Sequence, residues 1–362
     1  MDIGNLDREM KFYKYLADKY NFKFYFLTYG EEYDKKIAET YSKSFTVLPI
    51  YEYTKKSNYK IVTFLQSLII PFKIKGTIKN LDVVKSNQLT AGWTGLICKL
   101  FFSKPLYVRT GYDAYIFSKN EKKSKFKQIL FFLLTQIVII FSDHYTVTSN
   151  SDYKFITSKY FLPRSTNLSI SPNWVTYIEP SSLDIMNRNN KSILSVGRLE
   201  EQKNYQFIIE ALSNSEFELN IIGTGSMKEE LINLADSVKT NLEIINNISN
   251  SELMEVYKDY KYFILSSNFE GNPKVLLEAM SAGCIPIVSN IQNNSEIVED
   301  GYNGFLFDLD NKGKDVLKKL LRDDLDFRVI TNNATNTIKL RFSLEKIASQ
   351  EVSDLQNLAS TS

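Results

Sequence analysis

The sequence predicts an α/β protein of two domains, each built from a parallel β-sheet that is covered by helices. Three observations favour this architecture. The chain has 362 residues, which is enough for two hydrophobic cores. Short apolar strands alternate with helical segments along both halves, an order typical of parallel sheets. The charge also divides, because residues 1–170 carry a net +12 and residues 171–362 a net −10, which indicates a domain boundary near residue 175.

Both halves alternate predicted strands and helices. The predicted strands are, in chain order, "KFYFLTY", "FTVLPI", "LDVVKS", "PLYVRT" and "HYTVTS", then "SILSVG", "FELNIIG", "LEIINN", "YFILSS" and "IPIVSN". The predicted helices cover residues 7–19, 60–70, 91–102, 124–141, 204–213, 226–239, 250–259, 273–282 and 312–322. We expect two Rossmann-like domains that face each other across a cleft, with ligands at the carboxyl ends of the strands. The predicted domains are 1–172 and 173–340, followed by a C-terminal helix or tail, 341–362, that packs back on the N-terminal domain.

The composition is that of a soluble globular protein, with 43% hydrophobic and 24% charged residues. Cys98 and Cys284 are the only cysteines, and their apolar surroundings predict free core thiols in a reducing compartment. The most apolar window, residues 126–141, is too short and too often interrupted to predict a membrane span. We expect it to be a buried or membrane-facing helix. The opening "MDIGNLDREM" is not typical of a signal peptide.

Two carboxylates stand eight positions apart in "NFEGNPKVLLEAMSAGCIPIVSN", residues 268–290. Pro273 suits the first turn of a helix, and Gly283 is placed to end that helix. Glu270 then lies on a strand-to-helix loop, and Glu278 lies within the helix. The N–H groups at a helix start favour an anion, and carboxylates accept hydrogen bonds from hydroxyls. The pattern fits a sugar joined to a nucleoside through a diphosphate, although a helix cap and a solvated helix face would also explain the two residues.

Five segments resemble the GT4 family of retaining glycosyltransferases, which have the GT-B fold of two facing Rossmann-like domains. They are "SPNWV" (171–175), "SVGRLEEQKNYQFIIEAL" (195–212), "IIGTGSMKEEL" (221–231), "EGNPKVLLEAMSAGCIPIVS" (270–289) and "SEIVEDGYNGFLFD" (295–308). In the first half, "VKSNQLTAGWTGLICKL" and "PLYVRTGYD" are similar to a subgroup linked to surface-polysaccharide assembly.

The resemblance implies a role for each matching residue. Arg198 and Lys203 would hold the donor diphosphate, which agrees with the negative charge that develops on this leaving group. Glu270 would contact hydroxyls of the transferred sugar, and Glu278 would contact those of the ribose. The loop that meets the phosphate or sugar oxygens would comprise Gly271, Asn272, Pro273 and Lys274, with the N–H groups of Asn272 and Lys274 as donors.

Two glycines follow a predicted strand in the sequence "GTG". Gly223 and Gly225 would let the backbone approach the ligand closely, although an ordinary turn explains the same pattern.

The start of the chain departs from the family. The family opens with a full strand that leads into a Gly-rich loop, whereas "DIGNLDRE" already resembles that loop and the helix start. We therefore expect the first strand to be missing and a strand position beside "KFYFLTY" to be unfilled. Gly4 and Asn5 would be the remnant of the loop that faces the diphosphate and the acceptor.

A second departure concerns histidine. Many relatives have a His after the strand that here reads "YVRTGYD", where this chain has Arg109, Thr110 and Gly111. The single histidine, His144, is predicted to be structural. A catalytic scheme based on histidine is therefore not expected.

Motifs of two other enzyme classes match this sequence only in part. Asp308-Leu309-Asp310 and Asp324-Leu325-Asp326 match the Asp-x-Asp of metal-dependent transferases, but neither follows an apolar strand in an early nucleotide-binding domain. No strand leads into a full Gly-x-Gly-x-x-Gly fingerprint of hydride-transfer enzymes. We expect no metal and no cofactor, the nucleotide-diphosphate sugar being the donor substrate. A catalytically impaired or non-catalytic GT-B protein that binds sugar nucleotides is the alternative, because a fold does not fix a function.

The expected function is that of a retaining glycosyltransferase. It would move a sugar from a nucleotide diphosphate to a lipid-linked or polysaccharide acceptor in cell-surface glycan biosynthesis, of the capsule or O-antigen type. Retention needs no protein base if the leaving phosphate takes the acceptor proton on the same face. Five lysines in residues 119–127 lead into the apolar window and predict attraction to an anionic membrane surface. We therefore expect a cytoplasmic protein, peripheral on the inner face of the cell membrane, with no nucleic-acid partner.

Overall fold

The computed structural model describes residues 3–179, 188–322 and 327–360. By its contacts the chain divides into two units. The N-terminal unit comprises Asn5–Ser171 and residues 348–360, and the C-terminal unit comprises Pro172–Ile347 and residues 3–4. The division at 171/172 lies one residue from the predicted boundary, and a second division, at 347/348, falls within the last helix of the chain.

The described residues of the N-terminal unit form six strands, which pair in parallel. The strands are β1 (Phe24–Thr28), β2 (Phe45–Pro49), β3 (Val84–Ser86), β4 (Leu106–Arg109), β5 (His144–Val147) and β6 (Asn167–Ile170). The helices are α1 (Ile3–Tyr20), α2 (Tyr33–Tyr41), α3 (Lys60–Lys73), α4 (Lys75–Lys79), α5 (Gly92–Phe102), α6 (Ala114–Asn120), α7 (Lys125–Phe141) and α8 (Asn150–Lys159). Strands β1 and β2 form one sheet, and β3 to β6 form a second sheet in that order.

The first residues form a helix and not a loop. Helix α1 begins at Ile3, so Gly4 and Asn5 lie in its first turn, and the prediction that they belong to a loop is wrong. The helix extends this far because each residue added to an existing helix gains a hydrogen bond without the free-energy cost of nucleating a new helix. Among the described residues, β1 has β2 as its one strand neighbour, and the sheet that begins at β3 is separate. The position beside "KFYFLTY" thus holds no strand of the described chain.

A buried polar cluster fastens the last helix, α16 (Leu344–Ser360), to the sheet of the N-terminal unit. Lys85 Nζ on β3 lies 2.5 Å from Glu351 Oε1, and the two side chains are 14% and 1% exposed. His144 Nε2 on β5 lies 2.7 Å from Ser169 Oγ and 3.7 Å from Asp354 Oδ2. Burial lowers the pKa of His144 to about 4, so the ring is neutral at pH 7. This environment agrees with the structural role predicted for the histidine.

In the part of the C-terminal unit that the structure describes, six strands form a parallel sheet in the order β12-β11-β10-β7-β8-β9. The strands are β7 (Asn189–Val196), β8 (Glu218–Ile222), β9 (Asn241–Ile245), β10 (Tyr260–Leu265), β11 (Ile285–Ser289) and β12 (Phe305–Phe307). The helices are α9 (Tyr205–Ala211), α10 (Lys228–Val238), α11 (Asn250–Val256), α12 (Lys274–Ser281), α13 (Gln292–Ser295), α14 (Asn311–Arg322) and α15 (Phe327–Thr337).

Both faces of this sheet are buried, which explains why its strands read as continuous apolar runs. Side chains at alternate positions enter two separate cores, so that Ile193 and Ile264 pack in one core while Leu194 and Leu265 pack in the other. This is the packing expected of a parallel sheet with helices on both faces. Cys284 is buried here, Cys98 is buried in the N-terminal unit, and both are free thiols.

No helix in the described ranges is long and apolar enough to cross a membrane.

Candidate functional site

The predicted donor residues follow three neighbouring strands. Arg198 and Lys203 come after β7, Gly223 and Gly225 come after β8, and Glu270 comes after β10. These strands lie side by side in the order β10-β7-β8 and run parallel. The loops at their carboxyl ends therefore meet at one edge of the sheet, where ligands bind in open α/β folds.

Lys203 and Glu270 form a buried ion pair. Lys203 Nζ lies 2.5 Å from Glu270 Oε1, and the side chains are 11% and 8% exposed. The hydroxyl of Ser267 donates to the same carboxylate oxygen at 2.6 Å. The structure thus brings together two residues that the sequence places 67 positions apart, and it adds Ser267, which the sequence analysis did not identify.

The two loops that carry this pair are joined through Gln202. The backbone N–H of Asn268 donates to the carbonyl oxygen of Gln202 at 2.9 Å. The side-chain amide of Gln202 donates to the carbonyl oxygen of Phe269 at 2.8 Å. Lys203 and Glu270 are therefore held in place by backbone contacts on both sides, and a charged ligand would meet a preformed pair.

Arg198 differs from Lys203 in its exposure. Its side chain is exposed, and its Nη2 donates to Gln202 Oε1 at 3.3 Å. It lies on the same loop as Lys203, as the motif predicts, but it is turned towards Gln202 and solvent.

The two glycines of "GTG" serve the packing of loops. A Cβ on Gly223 would lie 1.9 Å from the carbonyl oxygen of Gly197, and a Cβ on Gly225 would lie 2.4 Å from that of Leu199. Such distances exclude any side chain at either position. The close backbone approach that was expected towards a ligand is observed here towards the Arg198 loop, which these glycines therefore help to position.

Helix α12 begins one residue later than predicted. Pro273 is its N-cap, with a ψ of 107° that is extended and not helical. The residue before it, Asn272, is buried. Its side-chain oxygen accepts a hydrogen bond from the backbone N–H of Asn173 at 3.0 Å. Its backbone carbonyl oxygen accepts a second one from the side-chain amide of Asn173 at 2.5 Å. This exchange fixes the loop of Gly271 and Asn272 ahead of Lys274, the first helical residue. Asn173 belongs to the "SPNWV" segment, but its partner could not be predicted from the sequence.

Gly283 ends helix α12 as predicted. Its φ of 81° is left-handed, and the N–H of Cys284 donates to the carbonyl oxygen of Ala279 at 2.9 Å, which is a glycine C-cap.

Glu278 lies inside helix α12 and is 4% exposed. Its Oε1 accepts from the side-chain amide of Asn250 at 3.0 Å, and the hydroxyl of Tyr257 lies 3.5 Å from its Oε2. Asn250 is the first residue of α11, directly after Ser249, whose capping box with Glu252 fixes the start of that helix. The sequence analysis missed Asn250 and Tyr257, because the "SNSE" pattern shows where α11 begins but not which carboxylate it faces.

Both aspartates of the first Asp-x-Asp string form hydrogen bonds within the C-terminal unit. Asp308 Oδ1 accepts from the side-chain amide of Asn290 at 3.0 Å, and Asp310 Oδ1 accepts from the backbone N–H of Gly313 at 2.8 Å, which caps α14. The second string, Asp324-Leu325-Asp326, lies outside the described residues. Within the described ranges, no group of three or more His, Cys, Asp and Glu side chains could hold a metal ion.

The family comparison covers the C-terminal unit. Residues 185–337 match the family model described as glycosyl transferases group 1. This range contains Arg198, Lys203, Glu270 and Glu278 and four of the five segments on which the resemblance rests.

Two curated relatives are similar over most of the chain. The chain is 25% identical over 245 residues to the capsular polysaccharide biosynthesis glycosyltransferase CapH of Staphylococcus aureus, which covers 64% of this chain and 67% of the relative. It is 26% identical over 311 residues to the UDP-Gal:alpha-D-GlcNAc-diphosphoundecaprenol alpha-1,3-galactosyltransferase of Escherichia coli, which covers 80% of this chain and 78% of the relative.

A solved structure is similar in fold over the whole chain. A glycosyltransferase from Rickettsia africae superimposes with a TM-score of 0.75 at 16% identity, covering 100% of this chain and 97% of that chain.

Proposed function

We propose that this group 1 glycosyltransferase moves a sugar from a nucleoside-diphosphate donor to a lipid-linked or polysaccharide acceptor, with retention of configuration and with neither a metal ion nor a cofactor. The observation that carries the proposal is the buried pair of Lys203 and Glu270, 2.5 Å apart at the strand edge. The pair places a cation that can bind a diphosphate next to a carboxylate that can accept hydrogen bonds from sugar hydroxyls.

Each donor residue has a chemical role in this proposal. The ammonium group of Lys203 has three N–H donors, of which one serves Glu270, so that others can reach diphosphate oxygens. Arg198 is exposed on the same loop, so its side chain can change rotamer and bind the diphosphate through bidentate hydrogen bonds. Glu270 accepts from hydroxyls of the transferred sugar. Glu278, oriented by Asn250, accepts from the ribose hydroxyls.

The proposed reaction breaks the bond between the anomeric carbon and the diphosphate oxygen. Negative charge builds up on the leaving diphosphate, and Lys203 and Arg198 stabilise it in the transition state. The acceptor hydroxyl attacks the same face of the sugar, and its proton passes to the leaving phosphate oxygen. The products are the glycosylated acceptor and the nucleoside diphosphate, and the anomeric configuration is kept. No protein base is needed for this proton transfer, which is consistent with the buried, neutral His144.

The acceptor class and the location are proposed from the relatives and from the charge. One relative is named for a diphosphoundecaprenol acceptor and another for capsular polysaccharide biosynthesis. A lipid-linked acceptor is presented at a membrane, and residues 1–170 carry a net +12 that favours an anionic leaflet. We therefore propose that the protein works in the cytoplasm, peripheral on the inner face of the cell membrane, in the assembly of a capsule or O-antigen type of glycan.

A thermal-shift screen followed by a transfer assay tests the proposal. A ligand that binds the folded state stabilises it by mass action, so one nucleoside diphosphate and its sugars should raise the melting temperature of the wild type. The stabilising nucleotide sugar should then transfer its sugar to a polyprenyl-diphosphate-linked acceptor, and NMR of the product should show the donor's anomeric configuration. Inversion would contradict the proposed mechanism, and stabilisation without transfer to any such acceptor would contradict the proposed activity.

A further inference from the structure

Helix α7 is apolar on its outer face as well as on its inner face. On the inside, Leu134, Val138 and Ile139 pack into the core of the N-terminal unit. On the outside, four apolar side chains at positions i, i+3, i+4 and i+7 share one helix face. They are Phe126, Ile129, Leu130 and Leu133, which are 76%, 58%, 48% and 52% exposed. The packing of the unit explains the inner face but leaves the outer one uncovered.

Helix α3 repeats this arrangement. Its exposed apolar side chains are Ile61, Phe64, Leu65, Ile69 and Phe72. Helix α5 packs against both α3 and α7. Phe64 meets Trp93 of α5 with ring centres 5.8 Å apart, and Phe72 meets Phe101 of α5 at 5.2 Å. The exposed apolar side chains of α3 therefore adjoin those of α5, and α7 lies on α5 as well. We call the outward apolar side chains of these three helices the apolar helix face.

The charges around this surface have one predominant sign. Helices α3, α5 and α7 contain no Asp or Glu. Exposed lysines lie where α3 ends, at Lys73 and Lys75, and where α7 begins, at Lys125 and Lys127. The nearest acidic residue before α7, Glu121, is paired with Lys123. An apolar surface with a basic rim is complementary to a lipid leaflet whose headgroups are anionic.

We propose that the apolar helix face inserts into the surface of an anionic lipid leaflet, with the rim lysines at the level of the headgroup phosphates. A second copy of the chain is a poorer occupant, because it would bring an identical basic rim against the first. The inference rests on the proposed function in one respect, since a lipid-linked acceptor would be presented at such a leaflet. It goes beyond charge attraction, because inserted apolar side chains should hold the protein after salt has screened the lysines.

Sedimentation with vesicles of phosphatidylglycerol and phosphatidylcholine tests the proposal. At low salt the full-length wild type should sediment with the vesicles. At about 1 M salt, where the Debye length is about 3 Å, a clear fraction should stay bound. A variant with Phe126, Ile129, Leu130 and Leu133 changed to Ser should lose at least tenfold in this salt-resistant binding. A matched control changes four exposed apolar residues of the C-terminal unit to Ser, namely Ile232, Val316, Val329 and Leu340, and should bind as the wild type does.

The outcomes separate the possible occupants of the face. Complete release of the wild type at about 1 M salt, or equal binding by both serine variants, would overturn the insertion. A concentration-dependent dimer in sedimentation velocity that the α7 substitutions dissociate, without vesicle binding, would assign the face to a second copy. Thermal stabilisation by the nucleotide sugar is measured on the same variants. If it is kept while vesicle binding is absent, the insertion fails and the donor site stands; if it is absent from all variants and the wild type, the proposed function fails instead.

Discussion

Replacing Lys203 with Ala should cost both stability and catalysis. The pair with Glu270 is 2.5 Å long and its side chains are 11% and 8% exposed. At an effective dielectric constant of about 20, two charges at this distance attract by about 7 kcal/mol, most of which offsets the cost of removing them from water. The substitution leaves the Glu270 carboxylate buried without its cationic partner, while the hydroxyl of Ser267 still donates to it. The free energy of unfolding should therefore fall by about 3–5 kcal/mol.

The catalytic loss from the same substitution should be separable from the loss of stability. Removing one preorganised donor to the developing charge costs about 10²–10³ in turnover, or about 2.7–4 kcal/mol. Arg198→Ala is the matched control, because Arg198 is exposed on the same loop. It should lose turnover with a change in unfolding free energy below about 0.5 kcal/mol.

A double-mutant cycle separates the two effects of the pair. Urea denaturation should show that Glu270→Gln combined with Lys203→Met restores part of the stability lost by Lys203→Met alone, because no buried charge is left without a partner. Turnover of the double variant should stay low, since both donor contacts are gone. If Lys203→Ala changed neither the unfolding free energy nor the turnover of a verified donor, the reasoning from this pair would be refuted.

Three further predictions follow from the geometry. The folded-state pKa of His144 is about 4 against a reference of 6.5, so the unfolded chain takes up a proton that the folded chain excludes, and the contribution of His144 to stability falls as the pH drops from about 6.5 to about 4. His144→Gln should remove about 2–3 kcal/mol of this fall in urea titrations across that range, and an unchanged pH dependence would contradict the assignment. Asn250→Ala should weaken binding of the nucleoside diphosphate roughly tenfold in calorimetry, because Glu278 loses a hydrogen bond to a charged group, and unaltered affinity would show that Asn250 does not orient Glu278. Chelator should leave turnover unchanged, whereas a strict manganese requirement lost on Asp308→Asn would favour a metal at the Asp-x-Asp string.

The fold class could be predicted from the sequence because the pattern is repeated and regular. Apolar strands and helices alternate in both halves, and the described sheets are parallel throughout. The structural likeness confirms the predicted GT-B class, and the match over residues 185–337 confirms the family resemblance. The alternation of apolar segments did not predict elements that are short or weakly apolar, such as β6, the three-residue strand β12 and helix α15. Gly4 and Asn5 were assigned to a loop from the resemblance of "DIGNLDRE" to the Gly-rich loop of the family, whereas helix α1 begins at Ile3 and includes them.

The sequence supplies the residues of the proposed donor site, but it does not show which of them pair. The spacing singles out Glu270 and Glu278, and the family resemblance implies the roles of Arg198 and Lys203. The pairing of Lys203 with Glu270 depends on strand order, since β10 lies beside β7 although two strands and three α-helices lie between them in the sequence. The partners Asn173 and Asn250 were missed for the same reason, because a hydrogen bond between distant segments leaves no local pattern. Gly223 and Gly225 were expected to approach a ligand, and the close approach that the structure shows is to the backbone of the Arg198 loop.

The most direct test of the account is calorimetric titration of the two carboxylate variants with the nucleoside diphosphate and with its sugar. The central claim is that the donor lies with its nucleoside at Glu278 and its sugar at Glu270. Glu278→Ala should weaken binding of both ligands, because both contain the ribose. Glu270→Ala should leave the affinity for the nucleoside diphosphate unchanged and weaken only the nucleotide sugar. The reverse pattern, or no change in either variant, would contradict the account.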